Sequence, residues 1–251
     1  MTEKKSRPKQ LLGTVFTTGS APIAEIIALS GFDWVMIDME HAPLSLSDTQ
    51  VALQVFGDKM LKMVRVPGND GIWIKRVLDL GCDGIIVPMV NSAEEAERVV
   101  KSARYPIEGQ RSVGLARAHK YGPGFSEYVM NANKDVIIMV QIEHFQGVAN
   151  IDSIIKVKGL NAIFIGPYDL SASMGLVGQV NHPEVQASIN LVKKKCREAG
   201  LPYAIYGSDP EALAKEMKDG CSYLACGVDI SILSEGMCRV RGELDKIRSI
   251  I

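Results

Sequence analysis

Short, almost wholly apolar β-branched runs recur along the chain, each followed by a longer amphipathic stretch, and this alternation constrains the fold more than any other feature. The strand candidates are 11–16 (LLGTVF), 33–38 (DWVMID), 62–66 (KMVRV), 84–90 (GIIVPMV), 136–143 (VIIMVQIE), 162–167 (AIFIGP), 202–207 (PYAIYG) and 223–229 (YLACGVD). Continuous rather than alternating apolar runs suit parallel strands covered on both faces. The helical patterns APIAEIIALSG, SLSDTQVALQVFG, DGIWIKRVLDLG and DPEALAKEMKDG close on Gly31, Gly57, Gly81 and Gly220, each a plausible helix end. SLSD at 45–48 and SDPE at 208–211 read as helix starts. Eight strands alternating with helices predict one α/β domain, a (β/α)8 TIM barrel over residues 11–251, after a polar tail at 1–10. A doubly wound open sheet is the alternative topology.

Composition narrows the function. Lys and Arg number 28 against 29 Asp and Glu, a net charge of −1, and this balance argues against a nucleic-acid partner. No apolar run reaches the roughly 20 residues needed to span a bilayer, and no signal-type apolar segment follows the basic MTEKKSRPKQ start. The expectation is a soluble, cytoplasmic protein with no membrane partner. Cys82, Cys196, Cys221, Cys226 and Cys238 form no CxxC pair and read as reduced, buried thiols. The main interruption is 105–135, between the fourth and fifth strands, which reads as a functional loop leaving the C-terminal face of the barrel.

Charged residues inside apolar parallel strands are costly to bury, so each needs a reason. Strand two ends in Asp38, followed by Glu40 and His41; strand three carries Arg65; strand five ends with Gln141 and Glu143, two apart and on one face; strand six leads into Asp169. Singly, each has a bland reading: Asp169 as a helix N-cap, Arg65 as half of a structural ion pair, His41 as a loop residue. Jointly they lie at strand ends that a closed barrel brings to one pocket. Glu143 and Asp169 offer hard oxygen ligands, which favours Mg²⁺ or Mn²⁺ over zinc. A divalent ion, an arginine and a histidine around a 2-oxo acid would make and break carbon–carbon bonds beside a carbonyl. No strand end carries the lysine of a Schiff-base mechanism, Lys62 being at a strand start. No GxGxxG or GxxxxGK[ST] motif points to a nucleotide.

GFDWVMIDMEHAP, RVPGNDGIWIKRVLD, VPMVNSAEEAERVVKSARYPIEGQRSVG, VQIE and IGPYDLSASMG together resemble the HpcH/HpaI aldolases, in family order from about residue 11 to about 240. The resemblance implies a barrel of the phosphoenolpyruvate/pyruvate-domain type and a metal-dependent class II pyruvate aldolase. It would act on 4-hydroxy-2-oxo acids, either 2-keto-3-deoxy sugar acids or the 4-hydroxy-2-oxoheptanedioate type. It further implies Mg²⁺, Mn²⁺ or Co²⁺ on Glu143 and Asp169, His41 as base, Arg65 on the keto oxygen, and Gln141 beside pyruvate. The pyruvate carboxylate is then expected on the backbone N–H groups of Tyr168 and Asp169, with Asp38 in the network around His41. Asp79 matches an aspartate credited with raising the basicity of the histidine. Its place at a helix end puts it on the opposite face of its own barrel, so a neighbouring subunit would deliver it, or the helix boundary lies elsewhere. The resemblance also implies a homohexamer, a trimer of dimers that swap C-terminal helices at about 230–249.

Two features depart from the family pattern. Tyr168 stands where a small residue is usual, and His119 and Lys120 stand where acceptor specificity is set, forming either a basic rim for a second carboxylate or solvated loop charge. His144, after Glu143, has outward parity, and His182 before Pro183 reads as a helix-entry residue. Two alternative functions remain open: a citrate-synthase-like condensing enzyme on the same scaffold, and a non-catalytic barrel binding 2-oxo acids.

Overall fold

The strand runs condense as parallel strands because only a sheet covered on both faces can bury such uniformly apolar sequences. In the computed structural model, which describes residues 10–251, these are β1 (Leu11–Phe16), β2 (Trp34–Asp38), β3 (Leu61–Arg65), β4 (Gly84–Val87), β5 (Ile137–Ile142), β6 (Ala162–Ile165), β7 (Tyr203–Gly207) and β8 (Tyr223–Val228). They pair in sequence order, and β1 also pairs with β8, so the barrel is closed and the open-sheet alternative is excluded. Residues 1–9, which hold most of the expected tail, lie outside the described residues. Several strands stop short of their apolar runs; β4 ends at Val87, before Pro88, which has no N–H to donate to a ladder.

The helices are α1 (Ala21–Leu29), α2 (Leu46–Phe56), α3 (Gly71–Asp79), α4 (Ala93–Ala103), α5 (Phe125–Asp135), α6 (Phe145–Ala149), α7 (Ile151–Ile154), α8 (Pro167–Ser173), α9 (Pro183–Ala199), α10 (Pro210–Lys218) and α11 (Asp229–Arg248). Ser45 and Asp48 form a reciprocal capping box at the start of α2, and Asp209 caps α10. Gly31, Gly57, Gly81 and Gly220 all take positive φ just beyond helix ends. His182 caps α9 and His144 caps α6, each accepting a backbone N–H through Nδ1.

Strand parity creates two cores. Val15, Trp34, Met36, Met63, Met139 and Phe164 fill the barrel, while a larger cluster including Phe16, Phe56, Leu53 and Ile74 lies between strands and helices. Cys82, Cys196 and Cys221 are buried, Cys226 is half-buried, and Cys238 is exposed on α11, so the buried-thiol reading fails there. None of the described helices is long and apolar enough to cross a membrane.

The 105–135 segment does not leave the C-terminal face. Helix α4 intervenes after β4 and carries the chain back, so residues 104–124 run beneath the barrel at the strand starts. Arg117 Nη1 there donates to Leu80 O at 2.7 Å, just ahead of β4. The same segment, with Asp58 and Asp83 from the chain entering β3 and β4, lines a cavity of about 590 Å³. Lys62 lies on this face too, its Nζ 3.0 Å from Asp83 Oδ2.

Candidate active site

At the C-terminal face the inward rows of β2, β3 and β5 run out of apolar residues and the next inward step is polar. On β2, Trp34 and Met36 are followed by Asp38; on β3, Met63 by Arg65; on β5, Met139 by Gln141. Asp38 and Arg65 are register partners on adjacent strands, so the pairing of β2 with β3 fixes their contact. Arg65 Nε donates to Asp38 Oδ1 at 2.9 Å and Nη2 to Oδ2 at 2.7 Å, a bidentate pair, both side chains being buried. Burial alone would raise the Asp38 carboxyl, but the hydrogen bonds and charge of Arg65 outweigh it and hold the group below its ordinary range. Backbone N–H groups of Glu40 and His41 also point at Asp38 Oδ1, at 3.0 and 3.4 Å. Asp38 thus shapes the His41 loop through the backbone rather than through the imidazole.

Glu143 is buried one step beyond β5. Its Oε1 accepts the Met89 N–H at 2.7 Å, and its Oε2 accepts from the Gln141 amide. Met89 holds a left-handed conformation, φ 55°, which is uncommon for a side chain of this kind and sits directly at the site. Burial, reinforced by the charges of Glu40 and Asp169, pushes the Glu143 carboxyl up to about 7. Glu40 is likewise raised to about 7 by burial, with Arg65 opposing and Asp38 and Asp169 adding to the rise. Glu40 Oε2 lies 3.3 Å from Arg65 Nη1, a partner the sequence reading did not single out.

Asp169 is not a cap; Gly166 is the N-cap of α8, and Asp169 sits in the first turn. Its Oδ2 is 3.9 Å from His41 Nε2, and His41 Nε2 is 3.7 Å from Glu40 Oε2. Gly166 leaves room for this cluster, since a Cβ there would lie 2.8 Å from Glu143 Oε2 and 2.9 Å from Gln141 Nε2. A cavity of about 540 Å³ opens over the group, with Asp38, His41, Arg65, Gln141, Tyr168 and Asp169 in its wall.

Asp79 is the predicted residue that the fold does not bring to this cavity. It closes α3 on the opposite face, where Oδ1 accepts from Arg111 Nη2 at 2.7 Å. Arg111 is buried against the rings of Tyr105 and Tyr128, 4.6 and 5.5 Å from their centroids. The helix boundary is therefore as read, and Asp79 does not act in its own chain's cavity. His119 joins the same buried cluster, with Nε2 3.3 Å from the Tyr105 hydroxyl, and Lys120 is exposed nearby. Neither rims the cavity of its own chain, because the segment carrying them passes under the barrel.

The fold agrees with what the chain is similar to. The sequence profile of the HpcH/HpaI aldolase/citrate lyase family matches residues 14–235. A hydroxypyruvate/pyruvate aldolase from Pseudomonas aeruginosa is 39% identical over 225 residues, 87% of this chain and 82% of that protein. A 2-keto-3-deoxy-L-rhamnonate aldolase from Salmonella gallinarum is 37% identical over 229 residues, 90% of this chain and 85% of that one. A solved structure of an HpcH/HpaI aldolase/citrate lyase family protein from Burkholderia cenocepacia superposes with a TM-score of 0.89 at 30% identity, covering 96% of each chain. The relatives are named aldolases, so the enzyme class is that of a carbon–carbon lyase. On sequence, fold and relatives alike, the chain belongs to the HpcH/HpaI aldolase/citrate lyase family.

Proposed function

We propose that the protein cleaves 4-hydroxy-2-oxo acids reversibly to pyruvate and an aldehyde. The observation that carries this reading is the meeting of Arg65, Gln141, Asp169 and His41 around one cavity at the strand ends, with the buried Glu143 bonded to Gln141 beside it. A divalent ion fits the donor set. Glu143 and Asp169 supply carboxylate oxygens, and the buried Glu143 has the charges of Glu40 and Asp169 beside it. Among the described residues no group of three or more His, Cys, Asp or Glu side chains forms a complete cage. Two carboxylates with water and a chelating substrate suit Mg²⁺ or Mn²⁺, with Co²⁺ as a third option. When bound, such an ion polarises the 2-oxo group and offsets negative charge developing on its oxygen.

The protein's own groups do the rest. Asp38 occupies the Nε and Nη2 edge of Arg65 and so aims the remaining guanidinium hydrogens at the 2-oxo oxygen. The first-turn N–H groups of Tyr168 and Asp169 receive the substrate carboxylate, and the Gln141 amide lies beside it. His41, exposed at the mouth, takes the proton from the 4-hydroxyl. The C3–C4 bond then breaks, its electron pair becoming the C2–C3 double bond of the enolate while C4 leaves as the aldehyde. Protonation at C3 gives pyruvate. Val15 and Phe164 wall the cavity and limit water near the enolate.

The decisive experiment is proton exchange at the pyruvate methyl group in D2O, followed by NMR with Mn²⁺, with Mg²⁺ and with EDTA. Metal-dependent loss of the methyl signal is expected; its persistence under every condition would overturn the reading.

The reading extends to a homohexamer of dimers that swap α11 and so deliver Asp79 to a neighbour's cavity. In support, α11 runs for 20 residues with only Asp229 buried, and it leaves Ile232, Leu233, Met237, Val240 and Leu244 exposed. Light scattering of the intact chain is expected to give six protomers, and a monomer would exclude this assembly.

A further inference from the structure

The first two residues after β1 are tied to the first residue of α11, more than 200 positions away. Thr17 N–H donates to Asp229 Oδ2 at 3.0 Å and the Thr17 hydroxyl to Oδ1 at 2.6 Å. Thr18 N–H and the Thr18 hydroxyl donate to Oδ2 at 3.0 and 2.9 Å, and Ile230 N–H closes on Oδ1 at 2.9 Å. Asp229 is buried, while Thr17 and Thr18 line the catalytic cavity.

The polarity of this cluster is forced. A carboxylate accepts only and a backbone N–H donates only, so the hydroxyl hydrogens of both threonines have to point at Asp229. What the hydroxyls can offer elsewhere is lone pairs. Thr18 Oγ1 already accepts the Ser20 N–H at 3.4 Å, whereas Thr17 Oγ1 accepts no hydrogen bond from any described residue. Thr17 also takes the next inward step after Val15 on β1, the direction that carries Asp38, Arg65 and Gln141 into the cavity on their own strands.

We propose that Asp229 is a positioning residue that locks Thr17 as an acceptor-only hydroxyl in the cavity wall, and that Thr17 selects an aldehyde half that brings a hydroxyl hydrogen to it. This rests on the aldolase reading and deepens it. A substrate hydroxyl donates to Thr17 Oγ1; a plain alkyl aldehyde leaves that oxygen without a partner, and an aldehyde ending in a carboxylate offers it no hydrogen and adds negative charge beside Asp229. Selectivity of this kind is strong because rejecting the wrong analogue leaves a polar group unmet.

The test uses the intact protein with its divalent ion, after pyruvate methyl exchange has been established for the unmodified chain. With pyruvate as donor, kcat/KM is measured for glycolaldehyde and for acetaldehyde, and their ratio is taken within each variant so that any shared loss cancels. Thr17→Val is expected to lower the ratio about five-fold. Thr17→Ser, which keeps the hydroxyl, should stay within about two-fold of the unmodified chain. Asp229→Asn should shift the ratio in the same direction as Thr17→Val, because an amide donor beside Thr17 frees its hydrogen to point outward. An unchanged ratio in Thr17→Val overturns the proposal, as does an equal loss in the valine and serine variants. Should Asp229→Asn fail to fold, the valine and serine pair still decides. Absence of pyruvate exchange in the unmodified chain is a separate result, which removes the aldolase reading and this inference with it.

Discussion

Arg65→Ala is expected to abolish aldol cleavage and to lower the melting temperature at the same time. The arginine is buried and bound through two nitrogens to Asp38, with Glu40 Oε2 3.3 Å from the third. Removing it leaves the buried Asp38 carboxylate, with the half-buried Glu40 nearby, without a cation, and breaking a buried pair in this way costs about 3–5 kcal/mol. For a chain of this size that corresponds to a drop of about 6–20 °C. Turnover should fall by about 10²–10³ or more, the usual consequence of deleting a preorganised donor to a developing oxyanion. The two effects separate in the double variant Arg65→Met with Asp38→Leu, which removes both charges; it should recover much of the stability and none of the activity. Arg65→Lys should not rescue turnover, since an ammonium cannot hold Asp38 with one edge and a substrate oxygen with another.

The same pair sets an acid limb. Asp38 is depressed in the folded protein, so its contribution to stability is complete above the ordinary carboxylate range and is lost as pH falls through the lowered value. In Arg65→Ala the sign reverses: burial without the arginine raises the Asp38 carboxyl, so the variant should regain stability as pH falls and the group takes up its proton. Thermal melts across pH, paired with exchange rates, check each part. An Arg65→Ala protein that melts normally and turns over would refute the role given to this residue.

The barrel was legible because its strands are apolar on both faces and its helices end on glycines, features that depend only on local sequence. The inward polar steps at Asp38, Arg65 and Gln141 were legible too, since parity along each strand decides which side chain enters the cavity. The segment around His119 and Lys120 was misplaced for a specific reason. Between β4 and that segment lies AEEAERVVKSA, an amphipathic helix whose passage reverses the chain, and overlooking it moves the loop to the wrong end of the barrel. Glu40 was visible in the sequence, but its approach to Arg65 depends on how the β2 end turns. The contact of Thr17 with Asp229 spans nearly the whole chain, and no local pattern announces it; only the closure of β1 on β8 brings them together.

Glu143→Gln is expected to move stability and activity in opposite directions. The carboxyl is buried beside Glu40 and Asp169, and burial with those charges pushes it up to about 7, so the folded protein carries an electrostatic cost at this position when no cation is bound. The neighbouring Gln141 adds a second cost, because its Oε1 is buried without a hydrogen-bond partner. A glutamine at 143 keeps an oxygen for the Met89 N–H, and its amide nitrogen replaces the oxygen that now faces Gln141. Rotating the Gln141 amide then places its oxygen against that new donor and turns its NH2 to the unpartnered side, so the pair stays hydrogen-bonded and the gain is the loss of the buried charge. Removing that buried charge is worth about 1–2 kcal/mol, which predicts a melting temperature in EDTA about 2–8 °C above that of the unmodified chain. The catalytic consequence is opposite. Mn²⁺ at about 100 times its dissociation constant should stabilise the unmodified chain by about 2.7 kcal/mol, while the variant, lacking one carboxylate ligand, should respond little and lose pyruvate exchange. A variant that melts below the unmodified chain in EDTA, or one that still gains stability from Mn²⁺, would show that Glu143 is held for structural reasons rather than kept under strain for the cation.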